Sequence, residues 1–381
     1  MMHTKTYLKF IINIQSQNRC RVLPSVSTEN NKTAVIDFSS NDYLQLSKSP
    51  HLLKSALAYA QQYGIGSTGS RLLSGSHPLF EHFENLIAQS KKTPKALLFN
   101  SGFQANISVL SALLNSKEFS NPPLVFFDKF NHKSLYEAVK LSGATLVRYM
   151  HNNMTHLSAL LNKYANSAAP KFIVSETLYG MDGDIVDHEN LVKLARQHHA
   201  LLYLDEAHAT GILGKEGYGL STELDLQGVE HVIMGTFSKA MGGSGAYIAC
   251  SDIVHQYLIN HCSGFMYSTA CSPMIIGAMI KAWALLPSFQ PKVKKMLKLS
   301  DYLRSSLKAK HFNTGCSQTH IVPIIYSDSA LALSIKNKLQ ANHIFTSFVQ
   351  HPTVPKNQTR LRIALNIHHD KKDIDKLLSF L

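Results

Sequence analysis

The chain has 381 residues, 45% of them hydrophobic, and carries 38 Lys and Arg against 25 Asp and Glu, a formal charge of +13. That length and apolar content suit a large buried core, one big domain plus a smaller one, and the charge suits acidic partners such as nucleic acid, an anionic membrane or an acidic carrier protein. Five scattered cysteines without a CxxC pair argue against a disulfide frame or a zinc site and read as reduced thiols of a cytoplasmic protein.

In chain order, the apolar stretch Tyr7 to Ile14, interrupted by Lys9, reads as an N-terminal helix, too short for a signal-peptide core. Residues 52–63 read as a helix, and the glycine-rich Gly64-Ile65-Gly66-Ser67-Thr68-Gly69 follows it. Apolar runs then recur at 96–99, 124–127, 172–174, 201–204, 232–234 and 246–249, separated by amphipathic stretches such as 134–141 and 190–199. This alternation predicts an α/β fold, a mainly parallel sheet with helices on both faces. The run 274–286 is broken by Lys281, and nothing reaches the ~18 apolar residues of a membrane span. The segment Pro287-Ser288-Phe289-Gln290-Pro291 predicts a break before a C-terminal domain. The expected division is an N-terminal helix and arm over 1–45, a large domain over 46–286 and a small one over 287–381. The basic stretch from Lys292 to Lys310, Arg304 included, reads as a solvated helix face.

Two motif matches fail on context. The GxGxxG at 64–69 follows a helix instead of a strand, and no acidic residue stands about 20 positions on, so it reads as a turn and not as a dinucleotide fingerprint. Asp205-Glu206-Ala207-His208 spells the DEAH box of nucleic-acid-dependent ATPases, but the chain has no GxxxxGK[ST] phosphate loop. Nucleic acid is therefore not an expected partner. His77, Glu81 and His82 match no recognised zinc spacing, and no metal site is expected.

The chemistry concentrates at strand ends. Asp205 closes the run 201–204, and Lys239 in Thr236-Phe237-Ser238-Lys239 follows the run 232–234. Ligands of such sheets sit beyond the carboxyl ends of the strands. A lysine and a carboxylate there are what a pyridoxal-phosphate enzyme needs: the amine captures the cofactor aldehyde, and the carboxylate keeps the pyridine nitrogen protonated. The strand-to-helix turn Asn100-Ser101-Gly102-Phe103 offers free backbone N–H groups to a phosphate. His132, just past the run 124–127, is placed to stack on a pyridine ring, although an ordinary loop histidine would look the same.

With these residues, the chain resembles the α-oxoamine synthases, pyridoxal-phosphate enzymes of the aspartate-aminotransferase fold. The likeness runs from about Asp37 to the C-terminus. It rests on Phe38-Ser39-Ser40-Asn41-Asp42-Tyr43-Leu44, Tyr63 to Arg71, Met181-Asp182-Gly183-Asp184, the Asp205 to His208 stretch with Thr210-Gly211, the Lys239 segment, Pro352-Thr353-Val354-Pro355 and Arg360-Leu361-Arg362. The short chain and the Pro-Thr-Val-Pro segment favour the member that condenses L-alanine with a pimeloyl thioester, carried by acyl carrier protein or coenzyme A, in biotin biosynthesis. Members that make α-hydroxyketone signals, glycine C-acetyltransferase and 5-aminolevulinate synthase are alternatives. A non-catalytic binding protein of this fold is a remote alternative, one that needs a reason to retain Lys239.

The resemblance implies a role for each matching position. Lys239 would hold the cofactor, Asp205 pair with its ring nitrogen, His132 stack on the ring and His208 bond its phenolic oxygen. Gly102, Phe103 and Thr236 would lie at the cofactor, and Thr269 would reach its phosphate from the second subunit of a homodimer with shared active sites. Arg362 would clamp the amino-acid carboxylate. Asn41 and Thr353 would line the substrate pocket, and Arg21, or else Arg19, would meet the acyl substrate. Three positions depart from the family pattern. Gly180 replaces a serine that contacts the cofactor, a hydroxyl contact worth about 1 kcal/mol. Gln350 stands for an arginine, and Lys356-Asn357-Gln358-Thr359 replaces a segment that commonly holds glycine.

Overall fold

The computed structural model describes residues 2–16, 20–21 and 35–381. Arg19 lies outside the described residues. The predicted N-terminal helix is α1 (Met2–Ser16), whose Tyr7, Leu8, Phe10 and Ile12 are exposed. After the short strand β1 (Ile36–Asp37), α2 (Pro50–Tyr63) starts with a proline, whose missing N–H costs nothing in a first turn. It stops at Gly64, where φ is +86°. The GxGxxG run is thus the loop that leaves a helix, as its context indicates.

From α3 (Pro78–Lys91) the chain enters an alternating series: β2 (Lys95–Phe99), α4 (Gly102–Leu113), β3 (Leu124–Asp128), α5 (Lys133–Ser142), β4 (Thr145–Tyr149), α6 (Met154–Lys163), β5 (Lys171–Glu176), α7 (His188–Gln197), β6 (Leu201–Asp205), β7 (His231–Thr236) and β8 (Ala246–Cys250). These seven strands form one sheet in the order β2-β8-β7-β6-β5-β3-β4, in which β8 alone runs against the others. Side chains alternate between two cores. Ala96 and Leu98 of β2 face a core shared with Phe80, Phe83 and Trp283, while Leu97 and Phe99 face one built with Val109, Leu113 and Leu258. Burial on both faces is why most of these strands read as unbroken apolar runs. The edge strand β4 leaves Thr145 and Arg148 exposed, and its broken run hid it from the sequence reading.

Beyond α8 (Asp252–His261) and α9 (Ser263–Met266) runs α10 (Pro273–Ala309), 37 residues long. It passes straight through the break expected at Pro287 to Pro291. A proline inside a helix costs about 3 kcal/mol. Trp283 and Leu286 on one side and Val293 and Met296 on the other bury in one core, which outweighs the local preference. The lysines of the basic stretch at 292, 294, 295, 298, 308 and 310 are exposed as expected. Arg304 is not: it is buried, pairs with Asp301 and donates to the Thr319 carbonyl. The C-terminal part comprises β9 (Ile321–Tyr326), α11 (Ser329–Ala341), β10 (Ile344–Phe345), β11 (Ser347–Val349), β12 (Thr359–Ala364) and α12 (Lys371–Ser379). A three-stranded antiparallel sheet, β11-β12-β9, carries Arg360 and Arg362 on its central strand, and β10 pairs with β1, so the N-terminal arm joins this layer. Among the described residues no helix is long and apolar enough to cross a membrane.

Candidate active site

The site is assembled at the carboxyl edge of β5, β6 and β7. Asp205 ends β6 and sits in register between Glu176 of β5 and Met234 of β7. Lys239 lies three residues beyond the last residue of β7, Thr236. The order of strands thus brings together a lysine and an aspartate separated by a long connection. Their electrostatics follow from shared burial. Desolvation brings the Lys239 amine down to about 8, with Arg362 pushing the same way and Asp205 and Glu176 opposing. Burial and the neighbouring Asp205 charge hold the Glu176 carboxyl well above the usual carboxylate range, against the pull of Lys239.

Asp205 is held from two sides: Oδ1 accepts the Ala207 N–H at 2.8 Å and Oδ2 accepts Asn106 Nδ2 at 2.8 Å. Asn106 reaches Asp205 from α4 and also donates to Ser134 Oγ at 2.9 Å. His132 caps the N-terminus of α5, with Nδ1 2.8 Å from Ser134 Oγ, and its backbone N–H donates to Glu176 Oε1 at 2.6 Å. Phe103 meets the His132 ring edge-on, with centroids 6.4 Å apart. Burial, then Lys239 and Arg362, hold the His208 imidazole well below its ordinary pKa.

A second cluster joins the C-terminal sheet to this edge. Arg362 donates through Nε to the Gly180 carbonyl at 2.5 Å and through Nη2 to the Tyr43 hydroxyl at 3.1 Å. The same hydroxyl is 2.7 Å from His208 Nδ1 and 3.0 Å from Asn41 Oδ1. Gly180 lies against His208, so close that a Cβ built on it would sit 2.1 Å from Nε2. The imidazole thus occupies the space that a serine would need. Further out, Arg21 Nη2 donates to Thr353 Oγ1 at 3.2 Å. Thr269 is exposed and forms a bridge to Ser70, and its carbonyl accepts Asn100 Nδ2 at 2.8 Å.

The residues present fit pyridoxal phosphate. A Cβ on Gly102 would lie 3.4 Å from Thr236 Cβ, so the start of α4 abuts the end of β7. Ser101 Oγ takes the Gln104 N–H, and the first N–H groups of α4 have no acceptor within the helix, which suits an anion. Thr236 Oγ1 and Ser238 Oγ stand 3.0 Å apart at the same corner. Glu206, the second residue of the DEAH match, is otherwise engaged: it pairs with buried Lys91 and accepts Ser221 N–H at 2.7 Å. Sequence reasoning quoted Tyr43 without giving it a role, and it assigned none to Asn106, Ser134, Glu176 or the buried His320 ring, which packs 4.1 Å from Tyr43. The signal available for Glu176 was its place at the carboxyl end of a predicted strand.

The family model described as aminotransferase class I and II matches residues 33–381. The chain is 42% identical over 350 residues to an 8-amino-7-oxononanoate synthase of Gluconacetobacter diazotrophicus, covering 91% of this chain and 87% of that one. Among solved structures it resembles 8-amino-7-oxononanoate synthase from Francisella tularensis, with a TM-score of 0.79 and 27% identity over 91% of this chain and 96% of the other. It shares the fold of the serine palmitoyltransferase from S. paucimobilis solved with bound PLP and myriocin, with a TM-score of 0.88 and 20% identity over 98% of this chain and 95% of that one.

Proposed function

The chain belongs to the aminotransferase class I and II family as a pyridoxal-phosphate-dependent α-oxoamine synthase, and we propose that it joins L-alanine to a pimeloyl thioester with loss of carbon dioxide, the reaction of an 8-amino-7-oxononanoate synthase. One observation carries the reading: relatives of that name match some 90% of this chain at about 40% identity, and its Lys239 and Asp205 lie at one sheet edge.

When bound, pyridoxal phosphate supplies an electron-withdrawing ring that stabilises the carbanion left at the substrate Cα. In this reading Lys239 holds the cofactor, and Asp205, fixed by Ala207 N–H and Asn106, presents its carboxylate to the ring nitrogen. An amine brought down to about 8 spends part of its time neutral near pH 7, which lets Lys239 act as nucleophile and then as base at the Cα proton. Gly102, Phe103 and Thr236 would lie at the cofactor, His132 would stack on its ring and His208 would bond its phenolic oxygen. Arg362 offers its guanidinium to the amino-acid carboxylate, kept in place by the Gly180 carbonyl and Tyr43. Asn41, Thr353 and Arg21 form the acyl side of the pocket, with Arg21 already on Thr353.

A homodimer with shared sites completes the proposal. The Ser70–Thr269 bridge and the bond from Ala270 N–H to the Gly69 carbonyl join two segments in which Ile65, Leu72, Leu73 and Tyr267 are exposed. Large apolar side chains left exposed in this way suit an interaction surface. The charge of +13 suits an acidic acyl carrier protein as donor, and a coenzyme A thioester serves the same chemistry.

The test is to follow the visible cofactor absorbance while adding L-alanine, glycine or L-serine, and then pimeloyl or longer acyl thioesters. A spectral response to alanine with turnover confined to the pimeloyl thioester is expected. Turnover with long fatty acyl thioesters alone would overturn the substrate and keep the reaction type.

A further inference from the structure

Hydrogen positions around His132 are forced one after another by groups that can act in only one way. The Ser134 backbone N–H can only donate, and it points at His132 Nδ1 at 3.3 Å. Nδ1 therefore carries a lone pair, and the proton of the neutral ring is on Nε2. The Ser134 hydroxyl, 2.8 Å from the same nitrogen, must then donate to it. Its oxygen is left to accept, and Asn106 Nδ2 supplies the donor at 2.9 Å. The second hydrogen of that nitrogen goes to Asp205 Oδ2 at 2.8 Å. Turning the Asn106 amide over would set its oxygen against the Asp205 carboxylate, and it would lose the Tyr203 hydroxyl, which donates to Asn106 Oδ1 at 2.8 Å. Asn106 and Ser134 are both buried, so water does not substitute for either.

We propose that Asn106 and Ser134 are positioning residues that couple the Asp205 carboxylate to the tautomer of His132, holding its proton on Nε2. The imidazole edge turned away from Ser134 is thereby a fixed donor, available to a carbonyl oxygen of a substrate, and not merely a surface for stacking. Loss of the relay leaves Nδ1 with the Ser134 backbone N–H alone, so the Nε2–H form is held less firmly and Nδ1 takes up a proton more readily. The charged groups that face His132 pull in opposite directions: Asp205 on β6 favours the imidazolium and Lys239 beyond β7 disfavours it. Glu176 of β5 accepts the His132 backbone N–H, and His208 lies within electrostatic range. Desolvation and Lys239 keep the ring below its ordinary pKa, in keeping with the neutral form that the hydrogen bonds require.

The value of this coupling to catalysis rests on the cofactor reading above, but the tautomer itself does not, and it is measured on the full chain with and without pyridoxal phosphate. Nitrogen NMR of histidine-labelled protein, with the His132 signal identified by its loss in His132→Asn, reports the protonated nitrogen and its titration. Wild type is expected to show a single Nε2–H form. Ser134→Ala keeps the backbone N–H on Nδ1 but removes the hydroxyl bond to it, and should raise the titration midpoint of His132 by roughly half to one pH unit, the worth of one neutral hydrogen bond. Ser134→Thr, which keeps a hydroxyl, should restore the midpoint. Asn106→Ala should shift the midpoint in the same direction, and the double variant should fall short of the sum, because Asn106 acts through Ser134. In holoenzyme, the acid limb of kcat should move with the midpoint while the alanine KM stays within about twofold, in line with a residue off the carboxylate clamp.

An unchanged midpoint in Ser134→Ala, a failure of Ser134→Thr to restore it, or full additivity of the two alanine variants would overturn the relay. If Asn106→Ala does not fold, the Ser134 pair alone decides. A wild type with the expected tautomer but no visible cofactor band would keep this inference and remove the cofactor reading. A normal band with a freely exchanging tautomer would do the reverse.

Discussion

Replacing Gly180 by alanine tests how the two halves of the site are tied together. The backbone there is outside the left-handed region, so any penalty comes from the added methyl group. Its Cβ would lie 2.1 Å from His208 Nε2, 2.6 Å from Cδ2 and 2.7 Å from Cε1, whereas ordinary contact begins at 3.4 Å. The imidazole must therefore withdraw by about 1.3 Å. Such a shift breaks the 2.7 Å contact of Nδ1 with the Tyr43 hydroxyl, the same hydroxyl that receives Arg362. Losing a buried hydrogen bond and repacking the ring together cost about 2 kcal/mol. If that cost falls on substrate binding, it is roughly a 30-fold loss in affinity for the amino acid. The assay is a spectral titration of the holoenzyme with L-alanine, with pyridoxal-phosphate affinity measured in parallel. Gly180→Ser should recover about fivefold relative to alanine if its hydroxyl meets the cofactor. Should Gly180→Ala bind alanine and cofactor as tightly as wild type, His208 moves freely and the argument that it is seated on Gly180 is refuted.

Other perturbations follow from the same geometry. Arg362→Ala should raise the alanine KM by roughly 10- to 100-fold, the worth of charge-assisted hydrogen bonds, and steady-state kinetics with an unchanged KM would remove the clamp. Lys91→Met strands the Glu206 carboxylate in a site where both side chains are fully buried, and denaturant unfolding should register a loss of about 3–5 kcal/mol. Changing the pair together to Met and Gln should recover much of it. His151 bridges Asp128 Oδ1 at 2.9 Å and Asp184 Oδ2 at 3.0 Å, and although burial alone would lower its pKa, these two carboxylates raise it to about 10. Because the folded value lies above the unfolded value of about 6.5, the stabilisation is complete below that value and is lost as pH rises through about 10. His151→Gln should therefore be less stable than wild type near neutral pH, and the gap should narrow on the alkaline side. A gap independent of pH would show that the ring is uncharged.

Much of this was legible in the order of residues. Strands buried on both faces must be apolar throughout, so six of the seven central strands announce themselves as runs, and the residues that close them, Asp205 above all, stand at the edge where such sheets bind ligands. Lys239 and His132 follow their strands by so few residues that chain geometry alone keeps them at that edge. Glycine at 64 and proline at 50 mark helix ends for equally local reasons. Where a local signal opposed tertiary packing, packing prevailed. Pro287 and Pro291 do not interrupt α10, because apolar side chains on both sides of them share one core, and Arg304 is drawn out of a solvated face by the Thr319 carbonyl.

What the sequence by itself determined is the set of strand ends and the reactive groups they carry, since the periodicity of burial and the reach of a few residues are local properties. Only the tertiary structure decided which ends are neighbours and which small polar groups link them. Asn106, Ser134 and Asp205 come from α4, α5 and β6, and Tyr43, Gly180, His208 and Arg362 from four further places in the chain. Nothing in the local character of an asparagine, a serine or a glycine marks it for such a network. Its hydrogen bonds exist only after the sheet has set β6 beside β7 and the C-terminal strands have closed over that edge, because a directional contact about 3 Å long cannot be specified before the backbones that carry it are in place.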